Sequence, residues 1–177
     1  MARQPVIALL RGVNIGGHHK LPMSQLRALC EGLGLTSVQT YIQSGNVVFR
    51  APSARNLENR LETAIEAAVG FRPAVILRTL DEMRAVAAAN PFPPGFEPSK
   101  LAIFFSRTAP PGPLPLIESP TGETLHLAGR ELFVYFPEGQ GRSKLPFAKL
   151  ERVFSGGPST ARNWNTLLKL IEIAESL

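Results

Sequence analysis

The sequence predicts an α+β protein: a ferredoxin-like β-α-β-β-α-β domain over residues 1–79, then a smaller α+β domain over 80–177 with an antiparallel hairpin and C-terminal helices. Three observations predict it. An apolar run of strand length, Val6 to Leu10, is followed by apolar residues at helical spacing: Met23, Leu26, Leu29, Cys30 and Leu33. Two stretches rich in β-branched and aromatic residues, Ser37–Gln43 and Asn46–Arg50, flank the turn Ser44-Gly45. A second helical period up to Val69 then gives way to another strand-like run, Ala74–Arg78. Strand, helix, hairpin, helix and strand in that order make the split motif.

Each element has a local reason. Val6–Leu10 is apolar at every position, as suits a central strand buried on both faces. Pro22 fits the first helical position, where a missing N–H costs nothing, and Gly32 or Gly34 ends the helix. Ser53 is placed to cap a helix to Val69, with Leu57, Leu61, Ile65, Ala68 and Val69 on one face and Gly70 as its stop. Thr79-Leu80-Asp81-Glu82 matches a capping box and opens a helix to about Ala89. Pro91, Pro93, Pro94, Gly95 and Pro98 make a connector, and Leu101–Ser106 is a strand. Pro110, Pro111, Pro113, Pro115 and Pro120 keep the next segment extended. Glu123–Leu127 and Glu131–Phe136 form a hairpin around Ala128-Gly129-Arg130. Leu145-Pro146 starts a helix to about Phe154, Ser155–Pro158 is a loop, and a final helix from about Asn163 turns Leu167, Leu170, Ile171 and Ala174 inward. The pattern does not order the strands of this second half. Lys20-Leu21-Pro22-Met23 and Lys144-Leu145-Pro146-Phe147 repeat one pattern, either a duplicated strand-loop-helix unit or a helix start met twice.

Composition narrows the class. A hydrophobic content of 44% and a mean hydropathy of +0.04 belong to an ordinary globular protein. No apolar run approaches the roughly 18 residues of a membrane span, and no basic-then-apolar leader opens the chain, so no membrane partner is expected. The single cysteine, Cys30, excludes an intrachain disulfide and fits a reducing, cytoplasmic location, with the thiol buried in its helix. The net charge of +5 is unevenly spread. Residues 1–57 carry Arg3, Arg11, Lys20, Arg27, Arg50 and Arg55 against Glu31 alone, and the remainder is neutral. The first third therefore favours an anionic partner.

The expected topology gathers three connections at one sheet edge: the Arg11–Leu21 loop, the Gln43–Asn46 turn and Gly70-Phe71-Arg72-Pro73. Arg11, Lys20, Gln43, Ser44, Asn46 and Arg72 would then cluster around the positive end of the first helix. Within the loop, Gly16 and Gly17 let backbone N–H groups approach a ligand, which reads as an anion site at a helix N-terminus or as a plain turn. It is not a P-loop, because Gly-Lys-Ser/Thr is absent. Arg11, Asn14, Gly16, Gly17, His18 and Lys20 are candidate ligand contacts, with Gln43, Ser44 and Asn46 across from them. The bland reading of Gln43–Asn46 is a hairpin turn. His18 or His19 could act as a general base or a phosphate contact. His126 reads as structural, and no His, Cys and carboxylate cluster has metal spacing. In the second half Lys144, Arg162, Asn163 and Trp164 are polar-basic candidates; Asn163 either caps the last helix or meets a ligand, and Trp164 either packs or lies beside a flat ring. No catalytic residue or cofactor is identifiable.

Leu10-Arg11-Gly12-Val13-Asn14-Ile15-Gly16-Gly17, Thr40 to Phe49 (Thr-Tyr-Ile-Gln-Ser-Gly-Asn-Val-Val-Phe), Ser99-Lys100-Leu101 and Thr160-Ala161-Arg162-Asn163-Trp164-Asn165-Thr166 together resemble the bacterial domain of unknown function family 1697. The resemblance spans nearly the whole chain and implies a small bacterial cytosolic protein without an assigned activity. The leading functional expectation is a non-metal pocket for a phosphate- or carboxylate-bearing small molecule. It would be formed by Arg11–Lys20, Gln43–Asn46, Arg142–Lys144 and Arg162–Trp164. The alternatives are a small transferase or hydrolase acting on such a ligand, and a nucleic-acid or protein-interaction module using the basic edge. RNA-binding sheets of this topology display stacked aromatics. Here the first strand has none and the third only Phe49, so nucleic acid is the less favoured partner. Oligomeric state stays open.

Overall fold

The computed structural model describes residues 3–177; residues 1 and 2 of the expected first domain lie outside them. It is a mixed α+β structure with two four-stranded antiparallel sheets and, among the described residues, five α-helices. The chain divides into two compact units, Met1–Arg84 with Lys169–Leu177, and Ala85–Leu168. The expected boundary followed Thr79, whereas the division falls within the third helix and assigns residues 169–177 to the first unit. Two contacts within that unit explain the assignment. Arg84 Nη2 donates to Glu175 Oε1 at 2.9 Å, and Arg50 donates to the Leu177 carbonyl.

The first unit runs β1 (Gln4–Leu10), α1 (Met23–Gly32), β2 (Thr36–Tyr41), β3 (Asn46–Ala51), α2 (Leu57–Val69), β4 (Val75–Thr79) and the start of α3 (Leu80–Ala88). The strand order is β2-β3-β1-β4, with every neighbouring pair antiparallel. Successive side chains along a strand point to opposite faces. Val6, Ala8, Leu10, Val47, Phe49, Val75 and Leu77 therefore share one face and pack with Leu26 and Cys30 of α1 and Leu57, Leu61 and Ile65 of α2. Ile7, Leu9, Val48 and Ile76 on the other face are fully buried as well. An RNA-stacking platform needs an open face with aromatics, and this sheet has neither face open.

Local signals set the helix ends, with two corrections. Pro22 stands just before α1 as its cap residue rather than at its first position, and Gly34, at φ +81°, turns the chain after it. α2 begins at Leu57, later than the expected Ser53 cap. Ser53 Oγ instead accepts the Arg55 N–H at 3.1 Å, closing a local turn that competes with the helix, and Asn56 enters the helix from the left-handed region. The capping box of α3 forms as expected. The Glu82 N–H donates to Thr79 Oγ1 at 3.2 Å, and the Thr79 N–H donates to Glu82 Oε2 at 2.8 Å.

The second unit completes α3 and continues through β5 (Leu101–Ser106), β6 (Thr124–Ala128), β7 (Glu131–Tyr135), α4 (Phe147–Arg152), β8 (Ser159–Asn163) and the start of α5 (Trp164–Glu175). Its order is β6-β7-β5-β8, again antiparallel throughout. β8 was not expected from the sequence. Ala102, Phe104, Leu132 and Val134 meet Leu150, Val153 and Phe154 in the core of this unit.

The two sheets follow one plan. β1 lies between β3 and β4 as β5 lies between β7 and β8. Ile7 is paired with Val48 and Arg78; Ile103 is paired with Phe133 and Arg162. The Leu10 N–H donates to the Gly45 carbonyl at 2.8 Å, and the Ser106 N–H to the Arg130 carbonyl at 3.0 Å. The Lys-Leu-Pro echo does not fall on this plan. Pro22 precedes the helix between the first and second strands, whereas Pro146 precedes the helix between the third and fourth. The echo is thus a helix start met twice, and the shared strand register is the stronger sign of repetition.

Candidate functional site

Three connections meet at the C-terminal end of β1. The Arg11 N–H donates to the Ala74 carbonyl at 2.9 Å, the Leu10 N–H reaches Gly45, and Asn14 Nδ2 donates to the Gln43 carbonyl at 2.8 Å. The antiparallel order requires this, because the chain leaves β1 where it enters β3 and β4.

The glycine-rich loop is a small hairpin. Ile15 and His18 bridge, the His18 N–H reaching the Ile15 carbonyl at 2.9 Å, with Gly16 at φ +57° and Gly17 at φ +77° between them. Positive φ at both central positions is the demand of a type I′ turn. Gly16 and Gly17 therefore serve the turn, and α1 begins only at Met23.

Asn14 also has a structural role. Its Nδ2 donates to the Leu21 and Gln43 carbonyls, and its Oδ1 accepts the Leu21 N–H at 2.8 Å. It braces the loop against the β2–β3 turn rather than offering its amide to solvent. Asn46 is fully buried and donates through Nδ2 to the Tyr41 carbonyl and Ser44 Oγ, both at 3.0 Å. Both asparagines brace the backbone of this edge. Gln43 and Ser44 stay exposed on the turn.

What opens at this edge is a cleft of about 270 Å³ lined by Arg11, Gly12, His19, Phe71, Arg72, Pro73 and Ala74. The His19 ring stacks on Phe71 with centroids 4.6 Å apart, and its Nδ1 lies 3.2 Å from the Gly12 carbonyl. When Nδ1 donates there, Nε2 is the acceptor nitrogen. Arg72 forms part of the wall, but its charge is balanced. It donates to Asn59 at 2.7 Å, Glu62 at 3.2 Å, Glu66 at 3.0 Å and Thr63 at 3.1 Å. Glu62 in turn accepts the Val75 N–H at 2.9 Å, fixing the connection into β4. Arg11, His18, His19 and Lys20 are exposed at this edge. Phe71 was missed from the sequence, where Arg72 drew the attention; an aromatic inside a basic connection was the available signal.

In the second unit the candidates take other roles. Arg162 is buried in β8 and donates through Nη1 to Thr160 Oγ1 and the Ala161 carbonyl, both at 2.8 Å; burial pushes its pKa down to about 10. Asn163 Oδ1 accepts the Thr166 N–H at 2.8 Å and so caps α5. Trp164 meets Phe96 edge-on at 5.6 Å. The Lys144 side chain is exposed, and its backbone N–H donates to Thr121 Oγ1. Of these four, only Lys144 presents its charge to solvent.

Two further groups bear on chemistry. Cys30 is fully buried, and burial, followed by the charge of Glu31, pushes its pKa up to about 12, which makes it inert as a nucleophile. Burial disfavours the charge on Glu123, but donors from Ser143 and Thr121 outweigh it and hold the carboxyl below its ordinary value. Among the described residues no group of three or more His, Cys, Asp or Glu side chains is arranged for a metal, and no helix is long and apolar enough to cross a membrane.

Two antiparallel sheets on one plan, the first with a cleft at its edge, define a two-unit α+β protein. The chain belongs to the family described as protein of unknown function (DUF1697), whose model matches residues 3–133. A solved structure similar to it is that of the conserved bacterial protein SP0830 from Streptococcus pneumoniae. The two are 23% identical with a TM-score of 0.73, over 98% of this chain and 99% of that one. That likeness is one of fold. Comparison with curated proteins finds no match.

Proposed function

We propose that the first unit binds a small phosphate- or carboxylate-bearing molecule in the cleft between Arg11 and His19. The supporting observation is that an exposed arginine and an exposed histidine line one recess of about 270 Å³, walled by Phe71 and Pro73, in the part of the chain that carries the positive excess. Lys20, Gln43 and Ser44, exposed on the connections at the same end of β1, are further contacts in this reading. The strand order β2-β3-β1-β4 supports reading this unit as ferredoxin-like, the lone buried thiol supports a cytoplasmic setting, and the likeness to a conserved bacterial protein supports a bacterial one.

A thermal-shift and calorimetric screen with pyrophosphate, phosphosugars, acyl phosphates and nucleotides tests the reading. A ligand at a hundred times its Kd adds about 2.7 kcal/mol of stability. Arg11→Ala and His19→Ala should each remove that gain, and Lys144→Ala should keep it. A screen without any shift, or a shift that survives both cleft variants, ends the proposal.

The contact between His19 Nδ1 and the Gly12 carbonyl favours a second reading, as a transferase or hydrolase in which Nε2 takes a proton from the bound substrate. Turnover lost in His19→Ala with ligand binding retained would mark the enzyme. Binding to duplex DNA with a steep salt slope and no small-molecule saturation would instead mark a nucleic-acid module.

A further inference from the structure

The two sheets share a plan but not a helix. In the first unit α1 covers β2, so that Val38 is 2% exposed and packs in one cluster with Leu26 and Cys30. No helix stands between β5 and β6 in the second unit. Prolines 110, 111, 113, 115 and 120 deny the segment the hydrogen bonds of a helix. It lays down only Leu114 and Ile117, both half-buried against the core of that unit. Leu116, between them, is 100% exposed.

Leu125 of β6 sits where Val38 sits in β2, beside the third strand on the helix-bearing face. It pairs with Val134, which shares the core cluster of Ala102 and Phe104. Unlike Val38, it is only partly covered. Leu114, Leu116, Ile117 and Leu125 line a cleft of about 490 Å³, with Glu123 at its polar side.

We propose that this cleft is the seat of an amphipathic helix supplied by a partner protein, in the place that α1 fills in the first unit. The internal repeat says what belongs there: a short helix presenting apolar residues at i, i+3 or i+4 and i+7. Charge selects its flanks. Glu118 is exposed beside Ile117 and no lysine or arginine lines the cleft, while the Glu123 carboxylate is buried and already held by Thr121 and Ser143. The partner helix therefore carries Lys or Arg beside its leucines. An occupant meets the face of the sheet through Leu125, as α1 does through Val38, which favours a helix over a strand added along the free edge of β6.

Full-length protein is titrated with three fluorescein-labelled peptides followed by anisotropy and circular dichroism. One is a Lys/Leu peptide of about 14 residues with a helical period, the second its scramble, and the third the chain's own residues 21–35 with Cys30→Ser. The periodic Lys/Leu peptide and the residue 21–35 peptide should bind and gain helicity, and the scramble should bind at least about tenfold more weakly. Leu116→Lys, at a site too exposed to matter for folding, should weaken the Lys/Leu peptide about tenfold. Leu168→Lys, at an exposed leucine of α5, should not. Absence of binding, equal binding of the scramble, or equal loss in the Leu168→Lys control overturns the proposal. So does a bound peptide whose carbonyl infrared band shifts to the strand position, since that assigns the site to edge addition on β6.

Discussion

Arg78 of β4 and Arg162 of β8 hold the same place in two sheets. Arg78 lies opposite Ile7 and Arg162 opposite Ile103, and each donates Nη1 to the carbonyl of the residue before it at 2.8 Å. Each is followed by the residue that caps the next helix, Thr79 or Asn163. They are 1% and 7% exposed, so neither is available to a ligand from solvent.

A guanidinium held this far from water needs hydrogen-bond partners around it, and each of these two has them through Nη1. Removing it leaves a cavity and polar groups without their partner. Arg78→Ala and Arg162→Ala should therefore each lower stability by about 2–4 kcal/mol, and by similar amounts, in urea denaturation. A loss below about 1 kcal/mol at either position, the range of surface substitutions, would count against an interior structural role.

Glycines at the site edge differ in a way that stability measurements resolve. A Cβ at Gly45 would stand 2.6 Å from Val13 Cγ2 and 2.8 Å from Leu10 Cβ, on a backbone at φ +84°. At Gly16, φ +57°, nothing lies within 4 Å of it. Gly16→Ala should cost only the left-handed penalty of about 1 kcal/mol. Gly45→Ala adds overpacking to that penalty and should cost about 2–4 kcal/mol. Equal midpoint shifts in the two variants would refute the packing account.

The Glu123 carboxyl is held below its ordinary value in the folded chain by Ser143 and Thr121 against the opposing effect of burial. A depressed folded value contributes stability above the unfolded pKa, and that contribution fades as pH falls through the folded value. Glu123→Gln should thus be less stable than the parent near neutral pH, with the gap closing under acid. Urea midpoints measured across that range check the sign; a gap that widens toward acid would reverse the assignment.

Much of the architecture is legible in the residues because local and global preferences agree. Val6–Leu10, the Thr79–Glu82 box and Leu101–Ser106 each carry a signal that only one element satisfies. β8 escapes because Ser159-Thr160-Ala161-Arg162 has no apolar alternation; its buried positions are filled by hydrogen-bonded polar groups. The same confusion affects the site. Asn14 and Asn46 look like ligand contacts from the sequence, since a loop amide that braces backbone and one that meets a substrate are the same residue type in the same kind of loop. Arg72 is misjudged for a related reason: Glu62 and Glu66, a helix away in sequence, neutralise it in space.

The inclusion of residues 169–177 in the first unit has a consequence for how the protein is made. A ribosome that has delivered β1 to α3 has released a sheet whose closing segment does not yet exist. That sheet must wait, unsealed, until the whole of the other unit has been synthesised. Chaperone engagement during translation should accordingly concentrate on nascent chains that stop before Lys169.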